Sequence, residues 1–196
     1  DSIDYYNQYA SLYFENTVNL DMGETAKKFM ELVEEGGNIL DLGCGSGRDS
    51  KLFMEHGFEV TAMDASSEMC ELAGIHTGLD VLLLDARQME FEEVFDGIWA
   101  CSSLLHITPV ELAEVLKRIE KSLAPGGVFY MSVKKGEEQG FRNKRYFADY
   151  EKEELERLCE ENTNLTVLET WNTLDIRSDR ANQTMWSNLL AKKIVR

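Results

Sequence analysis

Short apolar runs alternate with polar, helix-periodic segments along most of the chain. Ile39, Leu40 and Leu42 form the first run, and a near-continuous apolar run of that length suits a strand buried on both faces. A helix is predicted just before it, over about 23–34. After it, Ser50, Leu52, Phe53 and His56 predict a short helix closed by Gly57. Residues 58–63 predict a second strand ending at Asp64, with Ser66 and Ser67 as caps for a helix over about 68–76. Residues 81–84 predict a third, wholly apolar strand ending at Asp85, and 95–101 a fourth. Thr108-Pro109-Val110-Glu111 reads as a helix start: a Thr cap, Pro at the first position, and Glu three residues after the cap. That helix is predicted to reach about Leu123. Pro125-Gly126-Gly127 then turns into a fifth strand over 128–133. Residues 152–159 look helical, and 165–173 and 185–194 read as two strands joined by a polar stretch, free to pair antiparallel. Strands alternating with helices predict an α/β fold whose parallel sheet is covered on both faces.

Two segments stand outside this alternation. Tyr5, Tyr9 and Tyr13 recur at four-residue spacing, which places three aromatic rings on one helix face, either as core or as a cover over a site. Residues 134–147 mix glycines with charges and predict a mobile loop at the open edge of the sheet. Arg145 and Tyr146 in that loop are candidates to meet a substrate, and with Tyr9 and Tyr13 could form a lid. Arg142, Lys144 and Arg145 are a local basic cluster, read either as a solvated loop or as a substrate-facing group.

Composition narrows the partners. The 196 residues are 43% hydrophobic, enough for one domain with a sizeable core. We expect a single domain over 1–196, with a helical cap over 1–35, a ligand-binding core over 36–134, and a substrate-side loop with the last strands over 135–196. The formal net charge of −16 disfavours nucleic acid and anionic lipid as partners. No run reaches the eighteen or so apolar residues of a membrane span, and no basic-then-apolar leader opens the chain. It opens on Asp1 rather than Met, consistent with residues before it. The four cysteines (Cys44, Cys70, Cys101, Cys159) are widely spaced and form no CxxC pair. With only three histidines, no metal site is expected, and the thiols are read as reduced in a cytoplasmic protein. Cys70 and Cys159 are expected to be small buried hydrophobes, and His56 and His76 helix-end residues.

The chemistry concentrates at strand ends. Asp41 closes the first apolar run, and Gly43, Gly45 and Gly47 follow on alternate positions. Three missing Cβ atoms at a helix N-terminus suggest a polar ligand lying against bare backbone amides. A dinucleotide fingerprint needs a third glycine where Arg48 stands, and no G-K-[ST] follows to make a P-loop. Asp64, about twenty residues further on, is placed to accept from the two hydroxyls of a ribose. Asp85 can accept from an exocyclic amino group while the Ala86 N–H donates to the same ring.

The D-x-G-x-G-x-G turn over 41–47, Leu84-Asp85-Ala86-Arg87, Phe95-Asp96-Gly97-Ile98 and Pro125-Gly126-Gly127 together resemble class I S-adenosylmethionine-dependent methyltransferases, over roughly residues 37–134. Gly47-Arg48-Asp49-Ser50 is similar to small tellurite-resistance and thiopurine-type members. The resemblance implies a Rossmann-like doubly wound, seven-stranded sheet, mostly parallel with an antiparallel last strand and helices on both faces. It implies S-adenosylmethionine as cofactor and S-adenosylhomocysteine as product, held by Asp41, Gly43, Cys44, Gly45, Gly47, Asp64, Ala65, Asp85, Ala86 and Cys101. It further implies methyl transfer to a small-molecule acceptor, with His106 as candidate general base because its ordinary pKa lies near neutrality. Competing readings are a non-catalytic binding module that regulates a partner, an RNA methyltransferase using the basic cluster, and a nicotinamide oxidoreductase. The acceptor and the oligomeric state are not legible.

Overall fold

The central sheet of the computed structural model, which describes residues 1–17, 23–175 and 184–195, follows the predicted alternation. β1 (Asn38–Leu42), β2 (Glu59–Asp64), β3 (Leu82–Leu83), β4 (Phe95–Cys101) and β5 (Leu123–Lys134) pair in parallel. β6 (Gln139–Arg142) and β7 (Arg145–Ala148) make a separate hairpin. β8 (Thr166–Leu174) and β9 (Met185–Lys192) return to the main sheet, where β9 inserts antiparallel between β5 and β8. The order is β3-β2-β1-β4-β5-β9-β8, a seven-stranded, mostly parallel sheet with an antiparallel last strand. The chain leaves β1 toward β2 and β3, then crosses back to β4 on the other side. That reversal opens a crevice beyond the carboxyl ends of β1 and β4.

The helices are α1 (Ser2–Thr17), α2 (Gly23–Leu32), α3 (Arg48–Glu55), α4 (Ser67–Thr77), α5 (Pro109–Ser122) and α6 (Lys152–Asn162). Side chains alternate strictly across the sheet. Leu40, Ile98, Ala100, Phe129 and Met131 pack on one side with Leu112, Val115 and Leu155 of α5 and α6. Ile39, Trp99, Val128 and Tyr130 pack on the other with Phe29 of α2 and Phe53 of α3. Every second residue is apolar on each face, so the runs read as continuous in the sequence. Trp99 stacks on Tyr130 at 4.2 Å and meets Phe29 and Phe53 edge-on or tilted at 5.1 and 5.3 Å. Each such fully buried side chain contributes about 1.5–3 kcal/mol, so this layer outweighs any single cap or surface ion pair.

Three expectations are corrected. The third strand shrinks from 81–84 to Leu82–Leu83, and as an edge strand it leaves Leu83 62% exposed rather than buried. The 134–147 loop is instead strand and hairpin: β5 runs on to Lys134, and β6 and β7 close through Asn143 and Lys144, both at positive φ. The basic cluster is spent inside that hairpin. Arg142 pairs with Asp149 at 2.9 Å, and Arg145 packs over the Tyr5 ring at 4.4 Å. Much of the polar stretch between the last two strands, 176–183, lies outside the described residues.

No helix among the described residues is long and apolar enough to cross a membrane. The start of α5 forms the predicted reciprocal cap: Glu111 N–H donates to Thr108 Oγ1 at 3.3 Å, and Thr108 N–H to Glu111 Oε1 at 2.9 Å. Thr108→Ala is expected to cost about 1 kcal/mol of stability. It would be read as a lower urea midpoint with an unchanged slope, and an unshifted midpoint would show that the cap is dispensable.

Candidate functional site

A cavity of about 460 Å³ lies beyond the carboxyl ends of β1 to β4, in the crevice that the strand order opens. β1 and the turn after it bring Asp41, Gly43, Cys44 and Gly45 to its wall. The ends of β2 and β3 bring Asp64, Ala65, Asp85 and Ala86, and the end of β4 brings Cys101 and His106. Tyr13 of α1 and Tyr146 of β7 close the far side. Gly47, Tyr9 and Arg145 are not on the wall.

The glycine turn works differently from the expected amide cradle. Gly43, Gly45 and Gly47 have φ of +75°, +54° and +83°, a region that residues with a Cβ enter at a cost. The amides of Cys44 and of the three glycines are already used. The N–H groups of Gly43 and Cys44 donate to the Met63 carbonyl at 2.9 Å, and that of Gly47 to the Cys44 carbonyl at 3.0 Å. The Gly45 N–H donates to Asp64 Oδ2 at 3.0 Å. The glycines therefore serve the bend and close packing. A Cβ on Gly43 would overlap Ser103, and one on Gly47 would lie 2.7 Å from Thr77 of α4, which explains why Gly47 faces away from the cavity.

Asp64 holds the crevice together. Oδ2 takes the Gly45 N–H and Oδ1 the Ser66 N–H at 2.9 Å, so one carboxylate links the turn to the start of α4. The Ala65 backbone also acts on this carboxylate, which with about four lone-pair positions keeps some acceptor capacity beyond these bonds. Burial raises the Asp64 pKa, against the lowering effect of these backbone donors.

Asp41 is 3% exposed and accepts from Ser50 Oγ at 2.7 Å. Burial, then the nearby Asp49 carboxylate, pushes it up to about 7. Asp49 is matched in turn by Arg48, through Nε at 2.7 Å and Nη2 at 3.0 Å, and by the Trp99 indole N–H at 2.9 Å. Arg48 lies on the cavity wall and escaped the sequence reading, although its place as the first residue of α3 was the available signal.

Asp85 is engaged by its own neighbour. Arg87 donates from its backbone N–H and Nε to Oδ1 and from Nη2 to Oδ2 at 2.6 Å, while Nη1 reaches Glu111 at 2.7 Å. Burial raises the Asp85 pKa, but the Arg87 hydrogen bonds outweigh it and hold the carboxyl below its usual range.

His106 departs most from expectation. Nδ1 lies 2.9 Å from the Tyr146 carbonyl, which can only accept, so Nδ1 carries the proton. Nε2 is then an acceptor, and it takes the Tyr6 hydroxyl at 2.9 Å. Burial drives the imidazole pKa down to about 4, so the ring is neutral at pH 7 rather than poised near neutrality. Its lone pair does not face the cavity openly, because Tyr6 stands on it. Tyr6 is on the wall where the expected stripe put Tyr9. Tyr6 and Tyr13 are seven residues apart, two helical turns, and their rings meet at 5.2 Å, while Tyr9 packs on Tyr5 at 4.8 Å and has non-helical φ −115° and ψ 17°.

All four cysteines are free thiols, with Cys44 and Cys159 buried and Cys70 half-buried. Burial pushes Cys101 up to about 12 and Cys44 well above its usual value, so neither wall cysteine is a thiolate. Among the described residues no group of three or more His, Cys, Asp or Glu could hold a metal ion.

Gly43→Ala is expected to cost about 2 kcal/mol or more, from the left-handed backbone and the overlap with Ser103. An unchanged thermal midpoint would contradict the packing account of the turn. Asp41 gives a pH signature. A carboxyl with a higher pKa folded than unfolded holds its proton more tightly in the native state. Its contribution is therefore full below about 4 and lost as pH rises toward about 7. Asp41→Asn keeps an acceptor for Ser50 and should flatten the fall in stability across that window, measured by urea unfolding at a series of pH values.

Comparison with known proteins agrees with this geometry. A family model described as a methyltransferase domain matches residues 39–127. "Putative methyltransferase YqeM" of Bacillus subtilis (strain 168) is 32% identical over 135 residues, covering 65% of this chain and 55% of its own length. A "Ubiquinone biosynthesis O-methyltransferase" of Xanthomonas campestris pv. campestris (strain B100) is 30% identical over 105 residues, covering 50% and 43%. The chain thus spans about half the length of the curated relatives it matches. Among solved structures, the Burkholderia thailandensis 1,6-didemethyltoxoflavin-N1-methyltransferase with bound 1,6-didemethyltoxoflavin and S-adenosylhomocysteine superposes with a TM-score of 0.76. It is 22% identical and covers 100% of this chain and 92% of that one, a likeness of fold. The methyltransferase-domain match begins in β1 and ends inside β5, so the part of the chain similar to that domain is the part whose strand ends line the cavity.

Proposed function

We propose that the protein transfers the methyl group of S-adenosylmethionine to a small-molecule acceptor. The observation that carries this reading is Asp64, a carboxylate at the end of β2 that lines the cavity and is fixed there by backbone donors. Two adjacent ribose hydroxyls can donate to such a pair of oxygens. The other residues fit the same ligand. Asp85 and Ala86 stand one strand further out for an adenine edge, and Asp85 Oδ2 takes only the Arg87 Nη2. Gly43, Cys44, Gly45, Ala65 and Cys101 supply wall without charge, and Asp41 stands behind them for the amino group. Arg48 has Nη1 left over from its pairing with Asp49 and suits the carboxylate. When bound, the cofactor supplies an electrophilic methyl on a sulfonium. The chain's own part is to align the acceptor and keep water out.

Within this reading, 1–35 covers the site, 36–134 holds the cofactor, and 135–196 adds the acceptor side. Tyr13 and Tyr146 remain acceptor-side residues, while Tyr9 and Arg145 act from behind the wall. The reduced thiols favour a cytoplasmic setting. The RNA reading has less support, since Arg142 pairs with Asp149, Arg145 packs against α1 over Tyr5, and the net charge is −16.

Calorimetry with S-adenosylhomocysteine and NAD in parallel tests the proposal. Micromolar binding of the first and none of the second is expected. Asp64→Ala should weaken that binding at least tenfold, about 1.4 kcal/mol. Preference for NAD, or full affinity in the variant, would overturn it.

A further inference from the structure

We infer that the methyl acceptor is a planar compound with a weakly acidic hydroxyl, a phenol or an enol, whose proton leaves through Tyr6 to His106. This rests on the methyltransferase reading and extends it to the chemistry of the acceptor.

The cavity has two chemically distinct ends. Asp41, Asp64 and Asp85 lie at one, near the strand tips. At the other, the wall is made by Tyr6, Tyr146, Phe141 and Ile107, with no carboxylate among these four. Phe141 is 72% exposed on the hairpin yet lines the cavity, with its ring edge-on to Tyr146 at 5.7 Å. Exposed aromatic area of this kind suits a flat ligand face.

Two cations lie close to this end, although Asp1 is also on the wall and the chain as a whole carries −16. Arg145 Nη1 reaches the Tyr6 hydroxyl at 3.3 Å, and its guanidinium lies 4.4 Å from the Tyr5 ring and 5.0 Å from Phe147. Among the described residues no carboxylate lies within ion-pair distance of it, and its Nε is buried without a partner. Lys134 sits 4.5 Å over the far side of Phe147. Both cations act on His106, and together they disfavour an ammonium acceptor and favour an oxygen gaining negative charge.

The hydrogen bonds leave one route for the proton. His106 Nδ1–H is committed to the Tyr146 carbonyl, and Nε2 is covered by the Tyr6 O–H. The Tyr6 oxygen accepts from Arg145 and keeps one further lone pair. As the acceptor oxygen bonds to the methyl carbon, the carbon–sulfur pair stays on sulfur. The acceptor proton passes to the Tyr6 oxygen while the Tyr6 proton moves to Nε2. The positive charge thus ends on the imidazole, which returns its proton to water after product leaves. Tyr6 is the catalytic residue, and His106 acts through it as a positioning residue and proton acceptor. An imidazole of pKa about 4 can take a proton from a methylated hydroxyl, which is a strong acid. It cannot take one from an alkylammonium of pKa about 10.

Two measurements decide this. In the free protein labelled with [15N]histidine, the His106 signal, assigned by its loss in His106→Gln, should be the neutral Nδ1–H form at pH 7. Its Nε2 shift should move in Tyr6→Phe. In protein saturated with S-adenosylhomocysteine, 4-cresol, a phenol that keeps its proton at pH 7, should bind at least tenfold more tightly than benzylamine. With S-adenosylmethionine, methylation of 4-cresol should fall at least tenfold in Tyr6→Phe, with the KM for cofactor unchanged. A protonated Nε2, equal or better binding of benzylamine, or full turnover in Tyr6→Phe would each overturn the inference. Failure to bind S-adenosylhomocysteine would instead overturn the methyltransferase reading, and the imidazole spectrum would still decide the proton path.

Discussion

One carboxylate sets the geometry on which the site depends. Asp64 takes a backbone N–H from Gly45 on one oxygen and from Ser66 on the other. The first bond fixes the glycine turn leaving β1, and the second fixes the entry to α4. Hydrogen bonds to an ionised acceptor are worth about 1.5–3 kcal/mol each. Two of them bind the loops of neighbouring strands at the mouth of the crevice, and the turn's φ angles follow from that tether. The same Ser66 donates its hydroxyl to Asn7 at 2.6 Å, so the position of α1 also depends on this corner.

Around it, buried charge is managed by pairing. Asp49 is held by Arg48 and the Trp99 indole, and Asp85 by Arg87, itself held by Glu111. Asp41 has only the Ser50 hydroxyl and a repelling Asp49 nearby, so its proton is held at higher pH than that of an ordinary carboxyl. A buried carboxylate without a cation of its own shifts toward the neutral form, because removing it from water costs more than one hydroxyl returns. Net charge therefore says little about the inside of the crevice, where each carboxyl is set by its own neighbours.

The sequence is most legible where local chemistry and global fold agree. The apolar runs of β1, β4 and β5, the Thr108–Glu111 cap, the Ser66 cap and the order of strand-end acids all appear in the structure at or near the expected residues. What escaped depends on long-range contacts. Val81–Leu84 carries strand chemistry, but being at the sheet edge leaves it one neighbour and a two-residue ladder. The 134–147 segment has loop composition, yet pairing Phe141 with Tyr146 and Gln139 with Ala148 makes it a hairpin. The four-residue stripe Tyr5, Tyr9, Tyr13 is one of two aromatic alignments on α1, and the seven-residue pair Tyr6 and Tyr13 is the one that lines the cavity.

α1 ties the elements around the site to one another. Its polar anchors lie on three separate elements: Ser2 Oγ accepts from the Tyr146 N–H of β7, Tyr6 meets His106 after β4, and Asn7 meets Ser66 before α4. Ser2, Tyr6 and Tyr13 are spaced four and seven apart, which is one face of a helix, and that face is the one on the cavity wall. Tyr13 then lies within contact of Gly45, where a Cβ would come 3.2 Å from its ring. The glycine turn and the aromatic cover are thus fitted to each other as closely as the turn is to Asp64. A side chain at position 45 would displace the cover as well as strain the backbone.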